Sequence, residues 1–314
     1  MNDPPGSGKP PRAMKISLRN DETCMSRCDN QRSIAKTIFQ IGTKMRAGII
    51  YNLRHRGLLR AKGKDTFQFL QALVTNDIRR LEDGRAQYAL LLNSRGRIVE
   101  DLILYRQADE ILIESDRSSQ SKLRKLLEMF KVHKDVTIEE ETGSRVYHAD
   151  NVTNDTPGIE DPRVPSFGKR ILSKTLPDDQ TTNENAYRER RFDFGIPEGP
   201  NELAGELPLF MNADIMNGIS ANKGCYLGQE LTARALNAPE IRKRLLPFTC
   251  RSMITGPLIS SKGERAGRVI ACTGSKGLAL VPVSRNIPLT YFQSKSENIE
   301  VFLPSWWPAE PANV

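Results

Sequence analysis

The stretch Gln87–Tyr105, Q-Y-A-L-L-L-N-S-R-G-R-I-V-E-D-L-I-L-Y, decides what kind of sheet this chain builds. Gln87–Leu92 and Ile98–Tyr105 are strand-like, and Asn93-Ser94-Arg95-Gly96 between them reads as a short hairpin loop. Strands joined in this way run antiparallel. Downstream, the Asp109-Glu110 turn leads to a strand at Ile111–Ser115. A helix over about Ser119–Phe130 then sets Leu123, Leu126, Leu127 and Phe130 three and four residues apart. Upstream, Asp83-Gly84 marks a turn. Before it, Lys62-Gly63-Lys64-Asp65 opens a helix capped by Asp65 or Thr66, with Phe67, Leu70, Leu73 and Val74 on one face. Ile49–Ala61 precedes that helix as one β-like run. The order β-α-β-β-β-α is an α+β pattern with an antiparallel sheet, not a doubly wound one.

Asn151–Ala186 is polar and Pro-rich, an excursion expected to carry one short strand near Arg170–Leu172; helical character returns around Ala186–Phe192. From Ile241 the cadence changes. Leu245–Thr249, Val269–Cys272, Leu278–Val283 and Ile299–Leu303 are short apolar runs between Gly, Ser and Lys turns, as in a small β-barrel. Trp306-Trp307 before Pro308 reads as a hydrophobic latch or a ragged end.

At 314 residues the chain is about two domains long. No run of 18 apolar residues exists, so no transmembrane helix and no membrane insertion are expected. The net charge of +8 suggests nucleic acid only until it is mapped. Residues 1–64 hold 14 Lys/Arg against 4 Asp/Glu, whereas the remainder holds 32 against 34. A nucleic-acid-binding domain keeps its basic stripe on the folded part, so no nucleic-acid partner is expected.

Asn30–Lys64 contains nine Lys/Arg and no acidic residue, and Ile34, Ile38, Phe39 and Ile41 lie near helical spacing. A cationic amphipathic helix is the form read by mitochondrial import, so residues 1–47 are expected to be a basic transit segment; a disordered basic tail is the bland alternative. Gly6-Ser7-Gly8-Lys9 is no phosphate loop, since Pro10-Pro11 follow it and no strand precedes it.

The five cysteines (Cys24, Cys28, Cys225, Cys250 and Cys272) form no Cys-x-x-Cys pair, and His55, His133 and His148 are scattered. Free thiols in a reducing compartment and no permanent metal site follow from that spacing. Cys250 and Cys272 read as buried small hydrophobes.

The densest polar constellation is Asn222–Arg234, N-K-G-C-Y-L-G-Q-E-L-T-A-R. Gly224 and Gly228 allow a tight backbone that lifts Cys225 and Tyr226 to a loop apex. A helix starting after Gly228 would aim the N–H groups of Gln229, Glu230 and Leu231 back over the loop, and Lys223 with those donors can lower a thiol pKa. The ordinary reading stands beside it: Glu230 and Arg234 form an i,i+4 pair, Tyr226 fills a core gap and the glycines only cap.

K-G-C-Y-L-G-Q-E resembles the signature of the YgfZ-type family, folate-binding relatives of the glycine-cleavage T-protein. The resemblance runs through Phe69–Ile78 (F-L-Q-A-L-V-T-N-D-I), Asn93–Tyr105, Asp161–Arg163 (D-P-R) and Arg190–Gly199 (R-R-F-D-F-G-I-P-E-G), and Ile241–Pro247 is similar to the family's mitochondrial iron–sulfur assembly branch. It implies a three-part ring: two α+β lobes over residues 48–238 and a C-terminal β-barrel over 239–314, around a folate-sized channel. It makes Cys225 the functional thiol, with Lys223 as basic neighbour and Tyr226, Gln229 and Glu230 completing the loop. It places Asp101, with Glu100 sharing the register, where T-proteins hold the folate pterin, and makes Asn76 and Tyr88 pocket lining. Ala235–Glu240 departs from relatives that carry histidines there.

The function implied is a folate-binding assembly factor of the mitochondrial matrix, acting in [4Fe–4S] protein maturation with A-type carriers as a monomer or in a transient hetero-complex. Tetrahydrofolate would bind weakly, and Cys225 would be a transient cluster ligand shared with the carrier, since such clusters generally want four ligands. The alternative is an enzyme, a tetrahydrofolate-dependent aminomethyl or one-carbon transferase with Asp101 as acid or base.

Overall fold

The computed structural model describes residues 49–176, 184–284, 287–288, 291–294 and 297–308; the basic N-terminal segment lies outside them. The expected β-like run Ile49–Ala61 is two strands, β1 (Ile50–Asn52) and β2 (Arg56–Lys62), which belong to different sheets. The break is a turn. Leu53 N–H leaves β1 to bond Val146 O, and Arg56 N–H closes back on Leu53 O, both at 2.9 Å. Helix α1 (Thr66–Gln71) follows with Asp65 at its N-cap, although the Asp65 carboxylate accepts from Asp135 N rather than from the helix.

The hairpin forms as expected from β3 (Ala86–Leu92) and β4 (Ile98–Gln107), with Leu90 opposite Asp101. After β5 (Glu110–Asp116) and helix α2 (Gln120–Lys131) come two strands that periodicity missed, β6 (Thr137–Glu140) and β7 (Arg145–Ala149). The polar excursion carries β8 (Ile159–Glu160) as well as the expected strand, β9 (Lys169–Ser173). The lobes therefore hold a five-stranded sheet, β3-β4-β5-β2-β6, and a four-stranded one, β1-β7-β9-β8, with every pair antiparallel.

Helices α3 (Glu184–Asp193) and α4 (Pro200–Leu203) and a one-turn 3-10 helix at Pro208–Met211 lead to α5 (Gln229–Leu236). The barrel strands are β10 (Lys243–Thr249), β11 (Pro257–Ile259), β12 (Arg265–Thr273), β13 (Lys276–Ser284), β14 (Ile287–Pro288), β15 (Tyr291–Gln293) and β16 (Asn298–Val301). The ring β10-β16-β15-β11-β12-β13 closes because β13 pairs back with β10, and β14 hangs on β13 as an extra hairpin.

Burial explains the continuous apolar runs. Ala89 and Leu91 face a core under α1 and α2 with Phe69, Leu102, Leu123 and Leu127, while Tyr88, Leu90 and Leu92 face a second core shared with Phe167, Phe192, Leu245 and Leu278. With both sheet faces covered, Ala89–Leu92 are wholly buried and strand alternation is hidden from the sequence. Barrel strand β10 alternates properly: Leu245 points out to the shared core, while Leu246 and Phe248 point into the barrel's own. Trp306 acts as the latch, packing on the shared core and donating its indole N–H to Phe194 O at 2.8 Å.

Candidate functional site

The segment 218–228 is sewn onto the Thr75-Asn76-Asp77 loop, some 145 residues earlier in the chain. Ser220 N–H bonds Thr75 O and Leu227 N–H bonds Ala72 O. Thr75 Oγ1 donates to Gly218 O at 2.6 Å, and the Asn76 amide donates to Tyr88 O and Asn217 O. Lys223 completes the seam: its Nζ donates to the carbonyls of Gln71, Val74 and Asn76 at 2.7, 2.5 and 2.8 Å. Three ammonium protons meet three carbonyls, two of them beyond the end of α1, where a cation is favoured. Burial pulls this lysine down to about 8, against the pull of Asp77. Lys223 is thus a tether for the cysteine loop, and its Nζ also lies 4.9 Å from the Tyr226 ring centroid.

The far side of the loop rests on the hairpin. Gly228 has φ +74°, and a Cβ there would fall 2.2 Å from Asn93 O; a Cβ on Gly96 would fall 2.9 Å from Gly228 O. The two glycines let two backbones touch. Gln229 turns back, its N–H donating to Tyr226 O and its Oε1 accepting from Tyr226 N–H, a reciprocal cap for α5. Between these fixed points Cys225 is exposed, as is Gly224, where a Cβ would meet nothing. Glu230 and Arg234 form the exposed i,i+4 pair of the ordinary reading.

A cavity of about 460 Å³ opens beside this seam, lined among others by Asn76, Arg80, Gln87, Tyr88, Pro162 and Asn217. It brings Asn76 and Tyr88 together, but Asp101 does not line it. Burial raises the Tyr88 phenol, with the charge of Asp101 adding to it.

Asp101 belongs to a different assembly, a buried ion cluster where the two lobe sheets meet. Arg56 donates from Nε to Glu114 at 2.9 Å and pairs through both terminal nitrogens with Asp101, which also accepts from Gly199 N–H at 2.8 Å. Arg163 holds Asp161 with a two-pronged grip at 3.0 and 2.8 Å and reaches Glu198 at 2.7 Å. Arg170 and the Tyr187 hydroxyl donate to the same Glu198 oxygen, and Tyr105 donates to Glu114. None of these guanidinium or carboxylate groups is more than 1 % exposed. Burial alone would raise Glu198, but Arg170, Arg163 and Arg56 outweigh it and hold the carboxyl well below its usual range; Asp161 sits at about 2 by the same balance. Three guanidiniums face four carboxylates, and half-buried His55 lies at hydrogen-bond distance from Glu198, with Nε2 2.9 Å from Oε1.

Glu100, next to Asp101 but on the opposite face of β4, is buried with one oxygen accepting from Ser119 Oγ and the other without a partner. Burial first, then the charge of Asp101, pushes it up to about 7. In the barrel, Cys250 and Cys272 are more than separate small hydrophobes: their Sγ atoms lie 3.6 Å apart, and burial and the partner thiol push Cys250 up to about 12. No group of three or more potential metal ligands exists among the described residues.

Sequence reading missed the cluster as a unit. The D-P-R and I-P-E-G pieces were visible, but nothing in them says that Arg163 meets Glu198. The usable signal was a charge inside an apolar strand, as with Glu114 in I-L-I-E-S.

The model for the GCVT N-terminal domain matches residues 42–148, and that for the CAF17 C-terminal beta-barrel domain matches 242–309. Among curated proteins, the mitochondrial iron–sulfur cluster assembly factor IBA57 of Mus musculus is 34% identical, over 82% of this chain and 85% of its own. The Homo sapiens counterpart is 33% identical over the same shares. The Neurospora crassa homologue is 34% identical over 69% of this chain, and the match spans only 57% of its own length. Among solved structures, the glycine cleavage system aminomethyltransferase T of Bartonella henselae superposes with a TM-score of 0.66 at 16% identity, over 82% of this chain and 85% of that one, which establishes a shared fold. With its lobes, its closed barrel and its cysteine loop on that fold, the chain belongs to the IBA57 family of mitochondrial iron–sulfur cluster assembly factors.

Proposed function

We propose that this protein works in the mitochondrial matrix as an assembly factor for [4Fe–4S] proteins, with Cys225 as the functional thiol. The observation that carries the reading is the contrast inside one loop: Cys225 is exposed, while Lys223, Leu227, Gly228 and Gln229 on either side of it are fixed. A ligand atom held out on a rigid frame can be offered to a cluster with little loss of conformational entropy. One thiolate leaves most of the coordination to another protein, and an A-type carrier supplying the remaining ligands fits that requirement. The relatives' names support the compartment and the cargo.

Reduced folate is the cofactor suggested by the T-protein fold. The cavity beside Asn76 and Tyr88 falls within the usual volume range of ligand sites, so a pterin-sized group fits there. Tyr88 and Gln87 would line it; the Asn76 amide protons are already taken up by Tyr88 O and Asn217 O. Asp101 is enclosed and paired with Arg56, which weighs against the transferase reading, because an acid or base must reach the proton it moves.

The test is Cys225→Ser in cells lacking the native protein, scored by aconitase-type activity at matched abundance. Loss of activity is expected, because an alcohol is a far poorer soft-metal ligand than a thiolate. Full rescue would make the loop structural and end the proposal.

A further inference from the structure

Two free thiols meet in the barrel: the Sγ atoms of Cys250 and Cys272 lie 3.6 Å apart. We propose that they are an oxidisable dithiol, a modification site at which a small soluble disulfide of the glutathione class closes an intramolecular disulfide. Cys225 plays no part in it.

The barrel brings the pair together from either side of β13. Cys250, one residue past β10, donates its N–H to Ser275 O at 2.9 Å, and Cys272 of β12 stands opposite Gly277. Phe248 also stands opposite Gly277, where a Cβ would fall 2.3 Å from its ring. With no side chain on β13 at that level, those of β10 and β12 close over it, and sulfurs 22 residues apart in the chain come into contact. A disulfide needs them about 1.5 Å nearer, an approach shared between two side chains of which one lies beyond the end of its strand.

The surroundings favour a disulfide over a bound metal ion. Cys250 sits in the barrel core with Phe248, Ile254 and Leu258. Burial and then the partner thiol push it up to about 12, and the charge of Glu297 adds to them. Thiolates, the metal-binding form, are penalised there, whereas a disulfide removes both protons and leaves no charge behind.

Half-buried Cys272 meets the oxidant first. Its sulfur bonds one sulfur of glutathione disulfide, whose own S–S bond breaks, and one glutathione leaves as the thiol with the Cys272 proton. Cys250 then bonds the Cys272 sulfur, and the second glutathione leaves as the thiol with the Cys250 proton. Two cysteines are oxidised and one glutathione disulfide is reduced.

Peptide mapping of the full chain tests this. Glutathione disulfide is raised until exposed Cys225 is fully modified, free thiols are alkylated, and the monomer band of a non-reducing gel is digested with trypsin. Peptides 245–251 and 269–276 should appear joined, two hydrogens lighter than their sum, with alkylation lost at both cysteines together. Dithiothreitol before alkylation should restore both, and Cys272→Ala should abolish the joined peptide. Cys250 and Cys272 still alkylated separately in wild-type protein would overturn the proposal, as would either of them joined to Cys225 instead.

Discussion

Two polar constellations stand in this molecule on opposite terms. In the ion cluster around Arg163, every charge is buried and answered by another charge of the protein, so its chemistry is used up internally. In the Cys225 loop, the backbone and Lys223 are answered in the same way, yet one side chain is left facing water. Both would look equally functional in a string of letters. What separates them is where the polar atoms end: the cluster holds the two lobe sheets in place, and the loop uses similar bonds to hold one atom out.

The comparison breaks first at Arg163. Arg163→Ala would leave Asp161 and Glu198 buried with a lost partner, at a cost of about 3–5 kcal/mol. Denaturant unfolding should show it; a loss below about 1 kcal/mol would mean that the cluster is not tightly coupled.

Glu100 comes next, as a buried carboxyl left outside the arginine pairing. Its pKa is raised, so between pH 4.5 and about 7 the folded state keeps a proton that the unfolded chain has released. Stability must therefore fall as pH rises through that window and stay lower above it. Glu100→Gln removes the loss and should gain about 2–3 kcal/mol on wild type between pH 5 and pH 8. A constant difference across that range would show that Glu100 is ionised without penalty.

Lys223→Met should cost about 1.5–3 kcal/mol through the orphaned carbonyls of Gln71, Val74 and Asn76. Faster amide exchange should appear at Ser220 and Leu227, whose bonds form the same seam; unchanged exchange there would separate the lysine from the loop. Smallest is Cys225→Ser, expected to move stability by less than about 0.5 kcal/mol because the side chain is exposed. A larger loss would mean that the thiol is part of the frame it was read as standing on.

Legibility from sequence followed the same divide. The hairpin, α2 and the main barrel strands were readable because turn residues and apolar spacing are local signals. Strands β6 and β7 were not: T-I-E-E offers one apolar residue, and R-V-Y-H-A opens on an exposed charge and carries an imidazole, His148, that only the fold buries. The split of Ile49–Ala61 was hidden because Leu53 is apolar and still forms the turn, satisfied by a carbonyl of β7. At the site, the glycines around Cys225 gave the exposed apex. The destination of the Lys223 ammonium, and the enclosure of Asp101 by Arg56, depend on partners too far along the chain for any spacing to reveal.

The indole of Trp306 has a bearing on how the chain is made. It is bonded to Phe194, and Leu245 and Leu278 fill the core against Tyr88 and Phe192. A polypeptide that emerges from a ribosome, or is threaded through a translocase, N-terminus first, has its hairpin early and its last core residues only near the end. Until then Tyr88, Leu90 and Phe192 present a greasy face to whatever surrounds the nascent chain. A chain cut short before the barrel would therefore leave part of this core uncovered, the kind of apolar surface that promotes aggregation.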